Sequence, residues 1–161
     1  MKIIKNLTID KPIADVWDVL ANKFAEIDLW SSLIIESKVS GESTLEAVDY
    51  SIRSTQTTGG PTQQQLTEFD PQNFTIAYKA ISGTPPFFKS VNAKWILNKK
   101  DENSTYLTLD FEVKFKNITF ILAPLVKIKL GKVGDVLLDD LKYYVENEKP
   151  HPRKLKLLSA V

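Results

Sequence analysis

Cysteine is absent from this chain, and histidine occurs once, at His151. The first absence excludes disulfides, zinc–thiolate centres and a cysteine nucleophile. The second leaves one imidazole, held between Pro150 and Pro152, and argues against a Ser-His-Asp triad or a histidine general base. Neither sign of charge is in excess. The 21 basic and 20 acidic residues leave a formal net charge of +1 over 161 residues, so no global field recruits nucleic acid or an anionic membrane. No run approaches the ~20 apolar residues that span a bilayer. The opening residues hold no apolar stretch of signal-peptide length, so a cytoplasmic setting is expected. No cofactor is expected. A metal would have to be held by carboxylates alone, and Asp15/Asp18, Asp110/Glu112 and Asp139/Asp140 all read as solvated faces.

What is present is a long apolar stripe near the C-terminus. From Thr119 to Glu148, apolar residues recur at Leu122, Val126, Leu130, Val133, Leu137, Leu141, Tyr144 and Val145, the spacing of one helix face. Pro124 suits the first turn of a helix, where a missing N–H costs little. Pro150 and Pro152 end it. The expected helix therefore covers Pro124–Asn147.

Most of the chain before it alternates as strands do. Lys2–Asp10 opens the chain as a strand. A short helix capped by Asp10 buries Ile13, Val16, Trp17 and Leu20, and a second runs over about Lys23–Leu29. Further strands are expected at Leu33–Val39, Ala47–Thr55, Gln63–Phe69, Phe74–Ile81, Lys89–Asn98 and Thr105–Lys116. Loops fall at Thr57–Thr62 and Ser82–Pro86. In Ala47–Thr55 the apolar set Val48, Tyr50, Ile52 assigns the covered face, and Arg53 goes to water. The sum is an α+β domain over residues 1–148. About seven antiparallel strands curve around the long helix, and two short helices follow the first strand. Residues 149–161 read as a basic, flexible tail.

A curved sheet around one helix leaves a chamber where the two diverge. The order and spacing of several stretches resemble the START-like superfamily, also called SRPBCC, including its birch-pollen-allergen and polyketide cyclase/dehydrase branches. The stretches are Ile9-Asp10-Lys11-Pro12 with Val16-Trp17, Leu20 and Trp30; Leu66-Thr67-Glu68-Phe69-Asp70; Tyr78 ahead of Gly83; Ala93-Lys94-Trp95; and Leu137 to Glu146. The resemblance implies the helix-grip fold and an internal cavity for an apolar or amphipathic molecule. It does not imply a reaction, because the superfamily mixes carriers, receptors and enzymes.

Candidate lining residues follow. Tyr50, Tyr78, Trp95 and Phe111 sit on faces expected to be covered, and either line a cavity or form plain core. Val126, Leu130, Gly134 and Leu137 face them from the helix. Gly131 and Gly134 either leave volume above the sheet or mark close helix–sheet packing, since a mid-helix glycine otherwise costs about 1 kcal/mol. Phe87 and Phe88, after Ser82-Gly83-Thr84-Pro85-Pro86, either tip a gate opposite Gly59-Gly60 or tuck into an ordinary hairpin. Ser90 and Asn92 replace their neighbours on the wall if a bulge near Pro86 shifts the register. For proton transfer the candidates are Glu68, on the strand face of Leu66, and Tyr78.

Three functions stay open: a carrier or binder of a small hydrophobic molecule (a lipid, an aromatic or a polyketide-like compound), a cyclase-like enzyme using the same chamber, and a protein-interaction module using the outer sheet face.

Overall fold

The computed structural model describes residues 1–116, 121 and 123–160. Thr119 and Leu122, the first positions of the expected helical stripe, lie outside them. Seven strands form one antiparallel sheet: β1 (Lys2–Ile9), β2 (Ile34–Val39), β3 (Ile52–Thr57), β4 (Gly60–Asp70), β5 (Thr75–Ser82), β6 (Phe88–Asp101) and β7 (Ser104–Phe115). Their order across the sheet is β1-β7-β6-β5-β4-β3-β2. Every connection from β2 to β7 is therefore a hairpin, and only β1 crosses to join the far edge beside β7. The hub is the β6–β7 ladder, where Ala93, Trp95 and Leu97 pair with Phe111, Leu109 and Leu107. All six side chains are buried on the inner face.

Helix α1 (Ile13–Trp17) continues as a π turn over Asp18–Asn22 and a 3-10 segment over Phe24–Leu29. The long helix α2 (Ala123–Asn147) buries Val126, Gly134, Leu137, Leu138, Leu141 and Val145 against the sheet. Its bounds meet the sequence expectation, because the apolar stripe is continuous and prolines punctuate its end. This is the helix-grip arrangement.

Three sequence-based expectations give way here. The stretch from Lys149 to Ala160 is not simply a loose tail. Helix α3 (Pro152–Ser159) is capped by His151, whose Nδ1 accepts the Arg153 N–H at 3.1 Å, and whose ring lies against Tyr143. Lys154 is buried, and its ammonium donates to the Ile34 carbonyl on β2. Asp140, expected on a solvated face, is fully buried. It accepts from the Ser32 N–H at 2.7 Å, the Ser32 hydroxyl at 2.6 Å and the Arg153 guanidinium at 2.9 Å. A basic stretch that reads as solvated is held because its cations meet a buried carboxylate and a strand end.

The third correction is in β3. Ser51, Arg53 and Thr55 face inward and are buried, and Ile52 is only half-buried. The strand starts later than Ala47, and its register is fixed by the tight hairpin to β4. Thr57 pairs with Gly60, and the Thr57 hydroxyl accepts the Gly59 N–H at 3.0 Å and donates to the Gly60 carbonyl at 2.8 Å. The stretch expected as an open loop is therefore a two-residue turn, with Gly60 at φ +112°.

Leu141 is wholly buried where α2 meets the sheet. We expect Leu141→Ala to lower unfolding free energy by about 3 kcal/mol in urea denaturation. Arg153→Gln should cost about 1–3 kcal/mol on the same measurement, because it removes a partner of a buried carboxylate.

Candidate functional site

Between the inner sheet face and α2 lies a cavity of about 330 Å³. That is near the low end of the roughly 300–1,000 Å³ of small-molecule sites. Its walls differ in chemistry. Val91, Ala93 and Phe111 from the sheet, Leu130, Val133 and Leu137 from α2, and Ile27, Leu33 and Ile34 from the opposite side are apolar. The remaining wall is the β3–β4 hairpin, which offers Thr57, Thr58, Thr62 and Gln64, with Tyr78 beside them on β5. A larger depression of about 510 Å³ sits over β2–β4, but charged and polar groups such as Glu36, Lys38, Gln56 and Gln63 line it. It lacks the apolar walls that would drive small-molecule burial.

The polar wall is built on Arg53. This side chain is only 2% exposed, and among the described residues no carboxylate pairs with it. Its Nη1 donates to the Phe24 carbonyl at 2.5 Å and its Nε to the Gln64 Oε1 at 2.8 Å. The guanidinium lies 3.8 Å from the Phe24 ring centroid and 4.9 Å from that of Tyr78. Desolvation pushes its pKa down to about 10, partly offset by the Tyr78 and Tyr50 hydroxyls. It remains a cation at neutral pH.

That anchoring orients the wall. Because the Gln64 Oε1 is engaged by Arg53, its amide nitrogen is the end left to donate. The Tyr78 hydroxyl accepts from the Trp95 indole N–H at 3.4 Å, which leaves its own O–H to donate. Thr55 and Thr62 hydrogen-bond across the two strands at 2.7 Å. The cavity therefore has apolar walls and one end biased toward hydrogen-bond acceptors, with a positive charge behind it.

The expected site residues divide accordingly. Tyr78, Phe111, Leu130 and Leu137 are on the cavity wall. Trp95 is buried core beneath Tyr78, and Val126 is buried without reaching the cavity. Tyr50 accepts the Ala25 N–H at 3.0 Å, which ties the 3-10 segment down, and lines a separate shallow depression. A Cβ at Gly134 would come within 3.4 Å of Phe111 and 3.3 Å of Lys5, so this glycine serves close helix–sheet packing. Phe88 packs edge-to-face against Phe115 at 5.5 Å and Phe87 at 4.5 Å between ring centroids, and neither Phe87 nor Phe88 reaches the cavity wall. A bulge does fall between Phe88 and Ser90, but the register from Ser90 onward is that of the core: Val91 and Ala93 keep their places on the wall, Asn92 borders the cavity between them, and Ser90 does not reach it.

Glu68 is corrected outright. A β-bulge at Thr67 moves it opposite Ala77, to the outer face, where it pairs with Lys94 at 2.8 Å. Arg53, Gln64 and Thr62 were missed because a polar alternation reads as a solvated face. The available signal was its length: Ser51, Arg53 and Thr55 align with Thr62 and Gln64 on one side of a hairpin.

The model of the family described as polyketide cyclase/dehydrase and lipid transport matches residues 3–146. The chain belongs to that family. Solved structures repeat its fold. A START superfamily protein from Mycobacterium smegmatis superposes with a TM-score of 0.76 at 16% identity, covering 92% of this chain and 99% of that one. The Zhui aromatase/cyclase from a Streptomyces species gives 0.66 at 16% identity, covering 94% and 99%. The di-domain aromatase/cyclase BexL gives 0.78 at 13% identity, covering 91% of this chain and 46% of that one. At these identities the likeness is one of fold. No curated protein matches the sequence. Among the described residues no helix is long and apolar enough to cross a membrane, and no group of three potential metal ligands is assembled.

Gly83, at φ +78°, closes the two hairpins of the polar end onto each other: a Cβ there would overlap the Pro61 carbonyl and the Thr62 backbone. Gly83→Ala should lower the melting temperature by several degrees and broaden the amide resonances of Pro61's neighbours in heteronuclear NMR spectra.

Proposed function

We propose that this protein binds one small amphipathic molecule, apolar along most of its length and ending in an acceptor group such as a carboxylate or carbonyl. Its apolar body lies against Phe111, Leu130, Val133 and Leu137, and its acceptor end against Gln64 and Tyr78. The observation that carries this reading is Arg53, a buried cation without a carboxylate partner, hydrogen-bonded to a cavity-wall amide. Burial of apolar ligand surface supplies affinity at about 25 cal/mol per Å² before the entropic costs of association. The acceptor end supplies orientation.

The family contains both lipid transport and cyclase chemistry in its description. Binding or carriage is the reading the cavity favours. Among its described lining residues there is no Asp, Glu, His, Cys or Lys, and Tyr78 is the one titratable group. Glu68, the carboxylate candidate for proton transfer, faces away. A cyclase would need a base within reach of its substrate.

The test is Arg53→Met, read on stability and on ligand choice together. The methionine relieves desolvation of the guanidinium but leaves the Phe24 carbonyl and the Gln64 Oε1 without their donor, so the melting temperature should fall by a few degrees while the protein stays folded. The same change should lower affinity for a medium-chain fatty acid at least ten-fold while leaving the matching fatty alcohol within about two-fold, by displacement of a fluorescent probe. Equal losses for acid and alcohol would remove the acceptor end from the account. For the wild type, acid binding should weaken as pH falls below about 5, where the ligand's carboxylate protonates, while alcohol binding stays flat.

A further inference from the structure

The first half of α2 is apolar on two opposite sides. Val126, Leu130 and Val133 turn inward, toward the core and the cavity. Ile121, just before the helix, and Leu125 and Ile128 within it recur at the spacing of one helical stripe, and they are 78%, 56% and 59% exposed. A surface helix ordinarily puts polar residues there. The helix charges beside the stripe are of one sign as far as Lys132, and the next residue along its line, Asp135, is neutralised by an ion pair with Lys5 at 2.8 Å. Between Glu112 and Asp135 the sequence has Lys114, Lys116, Lys127, Lys129 and Lys132 and no Asp or Glu. Lys127, Lys129 and Lys132 are exposed, and among the described residues none of the three is ion-paired. On a helix, Lys129 and Lys127 flank the stripe on its two sides, and Lys132 extends it by one turn.

We propose that this stripe docks reversibly on an anionic lipid surface, with Ile121, Leu125 and Ile128 entering the headgroup boundary and Lys127, Lys129 and Lys132 held at the phosphates. Long lysine stems beside an apolar strip are suited to that interface, where the chain lies along the boundary and the ammonium reaches the headgroups. Charge complementarity decides between occupants. A second copy docked stripe to stripe about a twofold axis would set these lysines against their own equivalents. An anionic membrane presents the opposite charge along the whole stripe. Three apolar side chains and three lysines make a weak, salt-sensitive contact rather than an anchor. The inference rests on the cavity reading only for its purpose. The helix that would touch the lipid also supplies Leu130, Val133 and Leu137 to the cavity, so docking would bring the chamber to the source of its apolar cargo.

The experiment is vesicle flotation of the full chain with phosphatidylcholine alone and with phosphatidylcholine mixed with phosphatidylglycerol, at low and high salt. The wild type should float with the mixed vesicles at low salt and stay behind with the neutral ones. Each of Lys127→Gln, Lys129→Gln and Lys132→Gln should lower partitioning about five-fold. Leu125→Asp combined with Ile128→Asp should abolish it. All of these positions face outward, so uptake of a fluorescent fatty-acid probe in vesicle-free solution should be unchanged, which also reports that the variants are folded. Three results would overturn the inference. They are no flotation with either vesicle, equal flotation with neutral ones, and a dimer in sedimentation velocity that Leu125→Asp dissociates without any flotation of the wild type. Loss of probe uptake by the wild type would instead strike at the cavity reading and leave the docking result to stand by itself.

Discussion

A guanidinium buried with no carboxylate partner among the described residues is the constraint around which the polar end of the cavity is built. Arg53 is satisfied by a backbone carbonyl, a glutamine amide oxygen and two aromatic faces. Each of these partners is thereby fixed. Phe24 is held in the segment after α1, Gln64 is turned with its amide nitrogen free, and Tyr78 is sandwiched between the cation and Trp95. The burial of Arg53 is unfavourable in isolation, as its lowered pKa records. The group sits behind Gln64 and Tyr78, which line the polar end of an otherwise apolar chamber.

The second organising contact is at the opposite end of α2. Asp140 joins three segments that are distant in sequence: Ser32 after the 3-10 segment, α2 itself, and Arg153 of α3. Lys154 adds a tie to β2. These contacts hold the C-terminal half of α2 against the sheet, together with Leu138, Leu141 and Val145. The N-terminal half is held by fewer buried side chains and borders the cavity. Dense contact at one end and space at the other follow from where the buried partners are.

The architecture was legible in the sequence because it depends on apolar period and on punctuation. The stripe from Val126 to Val145 and the alternation of Leu107, Leu109 and Phe111 specify one helix and one half-buried strand directly. Four of the wall residues, Tyr78, Phe111, Leu130 and Leu137, follow from the same pattern. The polar half of the site was not legible, for a physical reason. Arg53, Thr55, Thr62 and Gln64 bury their polar atoms against one another, and a pattern of hydrophobicity cannot distinguish polar groups that satisfy each other from polar groups that face water. Glu68 was misplaced by a single extra residue at Thr67, which flips every later side chain and leaves no mark in composition. Likewise the basic stretch at Arg153 and Lys154 gains structure only through Asp140, a partner that looks solvent-facing by period alone.

The central claim is that the chamber is amphipathic and takes an apolar molecule by an acceptor end. It is tested most directly by native mass spectrometry of the protein purified from its own host, followed by solvent extraction and identification of whatever is bound. The account predicts one bound molecule per chain, apolar in its body and carrying a carboxylate or carbonyl at one end. A bound molecule with a cationic head would contradict it. So would an empty protein that also declines fatty-acid and aromatic-acid probes in solution, because the donors at Gln64 and Tyr78 would then have nothing to bind.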